Sequence, residues 1–598
     1  MTHDHHDHDP GHGHSHDHSH DHGTGDDPAL DLSVPDAELN PGQLRRRGFL
    51  RGAGLLGAGI AGASVLGGAP ALADEAVHGR PQARRNPRRG FAWLAGDHHI
   101  HTQHSNDAMY RVADQVQHAS AYGLDWMVIT DHGSVGHAKF GVEKVNPDIR
   151  AARAALEDLL VFQGLEWNIP AAEHATVIVT PGPNEVAVLK AFENAYDGAV
   201  TGTTGSAEGD PKTLANEALA IQGLQWLAGR IGQQDGVDDA VMLANHPARK
   251  GLDTPHEFRA WRDQGRGVAI GMEGAPGHQA AGLPDGNHTS GARGEYANTA
   301  TSIGANAWSG YTTPNWELYR TWGGFDPFTA IVGGLWDSLL SEGKGWWITA
   351  NSDSHKAYLD PYVTGPLAPT ADGTPAASFA ETGAYLAPVE VAAMAASDGL
   401  GYSDFFPGFY SRTHVGTSSF GYQALLAGLR AGRVWVDHGR LLDELQVRVS
   451  AKGWDLRGVT LGGTLRVAKG SDVVLTVDLT PAQAPNHNGD APKLGHVDII
   501  RGLVTGPVQN PDTFVAPNTS VVKTYDISGR TGRTRIQFTL RGVNAPFYLR
   551  LRGSDGRRSS PGYYPAQDPN GPKMDVIGDA DPWKDLWFYS NPIFVDVR

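Results

Sequence analysis

Histidines and carboxylates recur at short spacing through the middle of the chain. The segment 97–101 reads DHHIH, and the segment 351–355 reads NSDSH. Successive side chains of a strand point to opposite faces, so His99 and His101 are expected on the same side. Imidazole and carboxylate groups together suit zinc, manganese or iron. The chain has no cysteine, which excludes thiol ligands, thiol catalysis and disulfides.

Most of these polar groups follow a short apolar run that is typical of a buried parallel strand. The predicted strands are Trp126–Thr130, Leu160–Phe162, Thr176–Thr180, Val241–Ala244, Val268–Met272 and Trp346–Ala350. Predicted helices alternate with them over 109–122, 148–159, 184–195, 212–229 and 327–341. Because the active site of a βα barrel is built at the carboxyl ends of its strands, this alternation would gather the polar residues in one place.

A single histidine at a strand end is more often a structural residue than a metal ligand. Here seven strand-end sites carry imidazole or carboxylate groups: His99 with His101, Asp131 with His132, Glu166, His174, His246, Glu273, and Asp353 with His355. Their recurrence predicts a metal site at this end of the strands.

The same residues fall into motifs that resemble a known family. The motifs are His99-x-His101-Thr102-x-x-Ser105, Thr130-Asp131-His132, Gly164-x-Glu166, His246-Pro247 and Ser352-Asp353-x-His355. In this order they resemble the PHP (polymerase and histidinol phosphatase) superfamily over about residues 91–440. The resemblance implies an α/β fold, a distorted (β/α)7 PHP barrel, that holds two or three divalent metal ions (Zn, Mn or Fe).

The resemblance also implies which side chains hold the ions. One ion would be bound by His99, His101 and Asp353, a second by His174 and His246, and a third by His132, His355 and Asp107, with Glu166 bridging the first two. Asp107 stands where some members of the superfamily have a histidine, which leaves the occupancy of the third site open.

The expected chemistry is hydrolysis. A water held between two divalent ions loses a proton near neutral pH, and the ions neutralise charge on a phosphoryl or carbonyl oxygen. Glu166, Asp131 and Glu273 are the catalytic candidates. Asp131 either orients a ligand histidine or caps the following segment. Glu273 would contact substrate or metal, or pair with an arginine.

Residues 274–320 form an insertion rich in Gly, Ala, Asn and aromatic residues. Long loops on a rigid frame often shape substrate access. His278 and Arg320 are therefore candidate substrate contacts, since arginine binds phosphate with two parallel hydrogen bonds. The alternative is a surface loop with incidental polar residues.

Beyond Arg440 the pattern changes to period two, as in 445–450 and 547–552, with Gly, Pro, Asn and Asp between the segments. This predicts an antiparallel β-sandwich-like module over 441–598. The module either packs on the barrel and supports the site, or binds carbohydrate, cell wall or a protein partner.

The first 90 residues divide into three predicted segments: a disordered His/Asp-rich leader (1–44), a signal peptide (45–73) and a basic linker (74–90). Arg46-Arg47-x-Phe49-Leu50 resembles a twin-arginine signal, although Arg45 stands where Ser or Thr is usual. A weakly apolar run and Ala71-Leu72-Ala73 follow. We expect a secreted or cell-envelope protein that is exported by the twin-arginine machinery as residues 74–598.

Composition narrows the function classes. The net charge of −17 argues against a basic nucleic-acid-binding surface. No long run of large apolar residues predicts a stable membrane span.

Three hypotheses remain for the function. The favoured one is a hydrolase of small-molecule phosphate esters, either a phosphatase or a phosphodiesterase. A second is a hydrolase of carbamates or carboxylic esters, since the chain also resembles the carbaryl hydrolase-like branch of the superfamily through residues 423–437. A third is a non-catalytic exported metal-binding protein, suggested by the histidine tract at 3–22.

Overall fold

The computed structural model describes residues 91–205, 211–283, 291–299, 302–304, 306–312, 316–358, 403–451 and 458–598. The leader, signal and linker predicted for residues 1–90 lie outside these described residues. Within them, no helix combines the length and the apolar character that a membrane crossing requires.

The first part of the described chain alternates strands and helices. Its strands are β1 (Ala92–Asp97), β2 (Trp126–Ile129), β3 (Leu160–Asn168), β4 (His174–Val179), β5 (Ala240–Ala244), β6 (Ala269–Ala275), β7 (Trp347–Ala350), β8 (Ser411–Thr417) and β9 (Val434–His438). Its α-helices are α1 (Val112–Ala121), α2 (Val142–Ala155), α3 (Glu185–Tyr196), α4 (Gly198–Thr201), α5 (Pro211–Ala228), α6 (Pro255–Gln264), α7 (Ser309–Thr312), α8 (Pro327–Ala330), α9 (Leu335–Leu340) and α10 (Tyr422–Arg430).

The strands lie side by side in the order β8-β1-β2-β3-β4-β5-β6-β7. β1, β2 and β3 are parallel, as are β5, β6 and β7, but β4 is antiparallel to both of its neighbours. The prediction that β4 is a parallel strand was therefore wrong. Only residues 169–173 connect β3 to β4, and a connection this short cannot carry the chain back to start a parallel strand.

The seven strands do not close into a regular (β/α)7 barrel. In the described residues, β7 meets β1 only beyond the strand ends, through an isolated bridge between Ile100 and Ser354. There the backbone N–H of His101 donates to the carbonyl of Ser354 at 3.1 Å. The mixed α/β character is confirmed, and this single bridge brings the residues that follow β1 next to those that follow β7.

Two helix predictions need correction. The helix expected over 327–341 is divided into α8 and α9, because Gly333 takes a left-handed backbone (φ +81°) between them. Helix α6 was not predicted from the sequence. It begins with a capping box in which the Thr254 side chain accepts from the Glu257 backbone, and the Glu257 side chain accepts in return from the Thr254 backbone.

The C-terminal region is rich in β-structure, as expected. Its strands are β10 (Leu442–Ala451), β11 (Thr464–Val467), β12 (Val473–Pro481), β13 (His496–Leu503), β14 (Thr519–Asp526), β15 (Thr534–Leu540), β16 (Phe547–Ser554), β17 (Ser559–Ser560), β18 (Gly571–Pro572), β19 (Trp587–Ser590) and β20 (Ile593–Val597). β10, β12 and β15 form an antiparallel sheet of three strands. Its inward residues share one apolar core with β13 and β16, which is a sandwich-like arrangement.

The second C-terminal sheet is continuous with the first part of the chain, because β19 pairs antiparallel with β9. A buried ion pair adds to this connection. The Arg550 guanidinium on β16 donates to both oxygens of Asp337 on α9, at 2.9 and 2.8 Å, and both side chains are fully buried. The Tyr548 hydroxyl donates to the same carboxylate at 2.8 Å. The C-terminal sheets are therefore anchored on helix α9 of the first part of the chain.

Replacing Asp337 by Asn should lower the free energy of unfolding by about 3–5 kcal/mol, since it leaves the Arg550 charge buried without its partner. The matched control is Asp235→Asn, which removes the exposed Arg230–Asp235 pair and should change stability by about 1 kcal/mol or less. Urea titration followed by tryptophan fluorescence measures both. Equal effects of the two substitutions would show that the buried pair does not anchor the sheets.

Candidate metal centre

Eight of the nine predicted ligands come from strand ends that lie next to one another. His99 and His101 follow β1, His132 follows β2, Glu166 lies on β3, His174 begins β4, His246 follows β5, and Asp353 and His355 follow β7. A parallel bridge between His132 and Glu166 extends the β2–β3 pairing into the site. Strand order alone therefore places these residues around one point.

The first group of donors is the one expected to hold the first ion. His99 Nε2 lies 3.0 Å from His101 Nε2, 3.1 Å from Glu166 Oε1 and 3.1 Å from Asp353 Oδ1. His101 Nε2 lies 3.3 Å from Glu166 Oε2 and 3.2 Å from Asp353 Oδ1. The strand geometry that puts His99 and His101 on one side thus directs both imidazoles at the same two carboxylates.

Glu166 lies at the centre of the whole cluster. Its Oε1 is 3.0 Å from His174 Nδ1 and 3.2 Å from His246 Nε2, the pair expected to complete the second ion site. Its Oε2 is 2.6 Å from His132 Nδ1. One buried carboxylate therefore contacts both predicted ion sites, as a bridging ligand must.

The third group lies at the edge of the cluster. His132 Nε2 is 3.1 Å from Asp107 Oδ2 and 3.3 Å from His355 Nε2. Asp107 is half exposed, and its other oxygen is 3.6 Å from His355 Nε2. Asp107 can therefore contribute a carboxylate where the sequence left the third site in doubt.

The donor set fits divalent cations better than it fits a network of hydrogen bonds. Glu166 Oε2, Asp353 Oδ1 and His246 Nδ1 are buried, and none has a hydrogen-bond partner of acceptable geometry in the described residues. Five overlapping groups of three His, Asp or Glu residues have donor atoms within 4.8 Å of one another. Buried nitrogens and oxygens that converge at such short distances are the donors a shared metal ion takes.

Electrostatics keep the central carboxylates ionised. Burial would raise the pKa of Glu166, but the neighbouring imidazoles of His99, His174 and His132 outweigh it and hold the pKa well below its usual value. The pKa of Asp353 is likewise held low against its burial, with His278 and His99 as the largest opposing influences. Both groups are therefore anionic at neutral pH, as metal ligands must be.

Comparison with known proteins agrees with this geometry. Residues 97–226 match the PHP domain. The match includes β2 to β4 and the first six predicted ligands along the chain, from His99 to His174. The ligands contributed after β5 and β7 lie beyond the matched residues.

Among solved structures, a similar one is a two-domain protein from Bacteroides vulgatus that contains a predicted PHP-like metal-dependent phosphoesterase. It is 15% identical, with 81% of this chain and 95% of that chain covered and a TM-score of 0.31. No curated protein matches the chain.

Glu273, predicted as catalytic, lies behind His99, one of the predicted ligands. Its Oε1 is 2.7 Å from His99 Nδ1, and its Oε2 accepts the backbone N–H of His246 at 2.6 Å. The carboxylate is fully buried on β6. Its partners are thus a ligand imidazole and a backbone amide, whereas the sequence had suggested substrate, metal or an arginine. A carboxylate on the far nitrogen of a ligand histidine fixes the ring and its tautomer.

Asp131 contacts the predicted ligand His101 indirectly, through Ser105. It accepts hydrogen bonds from the Thr102 backbone at 2.7 Å and from the Ser105 hydroxyl at 2.8 Å. Ser105 Oγ in turn lies 2.9 Å from His101 Nδ1. Asp131 therefore orients His101 through Ser105, and its carboxylate faces residues that precede it, which disfavours the capping alternative.

The two predicted substrate contacts have different surroundings. His278 Nε2 lies 2.8 Å from Asp353 Oδ2, so this residue is part of the cluster. Arg320 follows the 3₁₀ turn Trp316–Tyr319 and is partly buried, and its contact with substrate stays a prediction.

Sequence reasoning missed three residues beside the cluster: Glu173, Arg249 and Asp404. Glu173 directly precedes His174, and Arg249 follows His246 by three positions, so their closeness in sequence to predicted ligands could have identified both. Asp404 contacts His278 but lies 126 positions further along the chain, and no local sequence pattern predicts this contact.

Glu166→Gln should remove the negative charge shared by the two ion sites while keeping the side-chain volume. We expect the variant to retain fewer metal ions and to lose at least about 100-fold in hydrolytic rate, because two sites lose a ligand together. Metal content after dialysis and single-substrate initial rates measure this. The control is Glu185→Gln, a buried carboxylate that instead pairs with Arg153. Undiminished metal content in Glu166→Gln would contradict the bridging role.

Proposed function

We propose that this chain is an exported metal-dependent hydrolase that acts on phosphate esters. The observation that carries the proposal is the position of Glu166, a buried carboxylate within 3.3 Å of imidazole nitrogens from five histidines: His99, His101, His132, His174 and His246. Divalent ions bound there would supply a water nucleophile of lowered pKa and would neutralise charge that develops on the phosphoryl oxygens. The PHP match over residues 97–226 supports the same class of chemistry.

The chain's own residues have definable roles in this chemistry. Glu166 and Asp353 hold the donor groups together, while Glu273 fixes the ring of His99 and Asp131 acts on His101 through Ser105. Burial of these side chains excludes bulk water, which strengthens every electrostatic contact in the site. A site arranged in advance stabilises developing charge without reorganising during the reaction.

Positive charge beside the cluster favours a phosphate substrate. Arg249 Nη2 and Lys250 Nζ each lie 2.9 Å from the same oxygen of Glu173. That oxygen is also 3.4 Å from His246 Nδ1. Two cations opposite one carboxylate leave positive charge next to the second ion site. Lys250 is half exposed, so its ammonium group can turn towards an anionic substrate.

The aromatic insertion supports the carbamate alternative less well. The Tyr296 hydroxyl donates to Asp326 at 2.5 Å, and the Tyr311 hydroxyl donates to the carbonyl of Asp253 at 2.8 Å. The rings of Trp308 and Tyr311 pack edge to face at 4.6 Å. These buried side chains are used for packing. The shared Glu166 likewise disfavours a protein that only stores metal, since storage needs no carboxylate common to two sites.

The substrate class is tested with the full chain supplied with Mn²⁺ or Zn²⁺. We expect turnover of an aryl phosphomonoester or phosphodiester, little turnover of an aryl carbamate, and loss of activity in Glu166→Gln. The relative rates on the two phosphates would assign the enzyme as phosphatase or phosphodiesterase. Turnover of the carbamate alone would overturn the phosphate assignment.

Lys250→Ala should raise the KM for the phosphate substrate about tenfold, on the order of 1.4 kcal/mol, with a smaller change in kcat. The matched control is Lys344→Ala, which removes a lysine of similar exposure that pairs with Asp263. Steady-state kinetics at several salt concentrations separate the two. An unchanged KM in Lys250→Ala would show that this lysine does not contact the substrate.

Export is proposed from the sequence of residues 45–73. Replacing both Arg46 and Arg47 by Lys should leave full-length precursor in the cytoplasm, because the arginine pair is what the twin-arginine machinery recognises. Immunoblots of cell fractions measure the distribution. The matched control replaces another arginine pair, Arg88 and Arg89 in the linker, by Lys, and this variant should be exported normally. Normal export of the Arg46 and Arg47 variant would indicate another route.

A further inference from the structure

The side chain of His278 lies between two buried carboxylates, Asp353 and Asp404. We propose that His278 is a direct metal ligand, and that it binds an ion which shares the Asp353 carboxylate with the ion of the His99 and His101 pair. The inference rests on the proposed metal centre and adds to it a donor from the loop after β6.

Two imidazoles approach Asp353 in the same way. His99 Nε2 lies 3.1 Å from Asp353 Oδ1, and His278 Nε2 lies 2.8 Å from Asp353 Oδ2. On the far side of each ring, Nδ1 lies against a buried carboxylate: Glu273 at 2.7 Å for His99, and Asp404 at 2.5 Å for His278. A carboxylate on the far nitrogen is the usual support of a metal-binding histidine. His278 therefore has the surroundings that the predicted ligand His99 has.

His355, which also belongs to the third group around His132, supplies a third donor for the same ion. Donor atoms of His278, Asp353 and His355 all lie within 4.8 Å of one another. Asp404 connects two of them, since its second oxygen accepts the backbone N–H of His355 at 2.5 Å while its first lies against His278. One carboxylate thus fixes the relative positions of His278 and His355.

The backbone conformation around His278 brings this loop close to Asp353. His278 takes a left-handed conformation (φ +51°), as do two predicted ligands, His246 (φ +29°) and Asp353 (φ +47°). Such conformations are unfavourable for residues other than glycine, and they persist where surrounding contacts enforce them. Beside His278, a Cβ atom on Gly277 would lie 2.1 Å from the Cβ of Asp353. Any other residue at position 277 would clash with Asp353, so glycine there allows the loop to bring His278 into contact with Asp353.

These contacts argue against the role first expected for His278. Both of its ring nitrogens already face carboxylates, and the side chain is largely buried. A residue that recognises substrate would present a ring nitrogen that no protein group already contacts. Nε2 of His278 instead lies 2.8 Å from Asp353 Oδ2, an oxygen of a predicted ligand.

The test distinguishes a ligand from a hydrogen-bond donor. His278→Gln keeps an N–H group that can donate to Asp353 but ligates poorly, whereas His278→Asp supplies a ligand oxygen and no such donor. The full chain and both variants are equilibrated with Mn²⁺ alone, and the number of bound ions per chain is measured by inductively coupled plasma mass spectrometry. We expect His278→Gln to bind one Mn²⁺ fewer per chain, or to bind that ion at least about tenfold more weakly. His278→Asp should retain the ion.

Two further variants complete the design. Asp404→Asn should weaken the same ion by about 10- to 100-fold, the effect of losing the support of a ligand histidine. His414→Asn should leave the metal count unchanged, since it removes a buried histidine that lies against Asp437 outside the cluster. Far-UV circular dichroism and urea midpoints show whether each variant is folded.

The outcomes separate this inference from the proposed function. If the wild-type chain binds no Mn²⁺, the metal centre itself is wrong and the inference falls with it. If the wild type binds Mn²⁺ and folded His278→Gln binds it with the same number and affinity, only the role of His278 is wrong. If His278→Gln keeps the ion and folded His278→Asp loses it, His278 is a hydrogen-bond donor that positions Asp353.

Discussion

The structure depends on the burial of the Glu166 carboxylate. An ionised carboxylate away from water is strongly unfavourable unless charge of the opposite sign and hydrogen-bond donors surround it. Here the partners are imidazoles from β1, β2, β4 and β5, each within 3.3 Å. Asp353, Glu273 and Asp404 bring the number of buried carboxylates in the centre to at least four. Bound cations would balance part of this negative charge.

The frame that holds these groups includes the C-terminal region. β7 carries Asp353 and His355 at its end, and in the described residues one of its edges meets side chains in place of a paired strand. The Ile348 backbone N–H donates to Asn591 Oδ1 at 2.9 Å, and the Ala350 backbone N–H donates to Thr413 Oγ1 at 2.8 Å. Together with the β19–β9 pairing, these bonds hold β7 in place. The C-terminal region thus contacts β7 through Asn591 and β9 through β19, which is a supporting contact.

The sequence was informative where a single local pattern sets the structure. Alternation along a strand placed His99 and His101 together, and apolar runs located β2, β5 and β7 to within one or two residues. An apolar run indicates a buried strand but not the direction of that strand, so the antiparallel direction of β4 could not be predicted. The role of Asp404 could not be predicted for a different reason. Its contact with His278 depends on how segments far apart in the sequence pack together, and residue spacing carries no information about that packing.

The shared carboxylates make the donor groups depend on one another. Glu166 faces the groups around His99 and His174, and Asp353 faces those around His99 and His278. Glu166 and Asp353 would each be shared by ions held in neighbouring groups. Binding in one group would restrict a carboxylate that the next group also uses, which would favour binding there, while repulsion between the ions would oppose it. By linkage, any residue that fixes Glu166 or Asp353 would affect every ion that the carboxylate holds, and not only the nearest one.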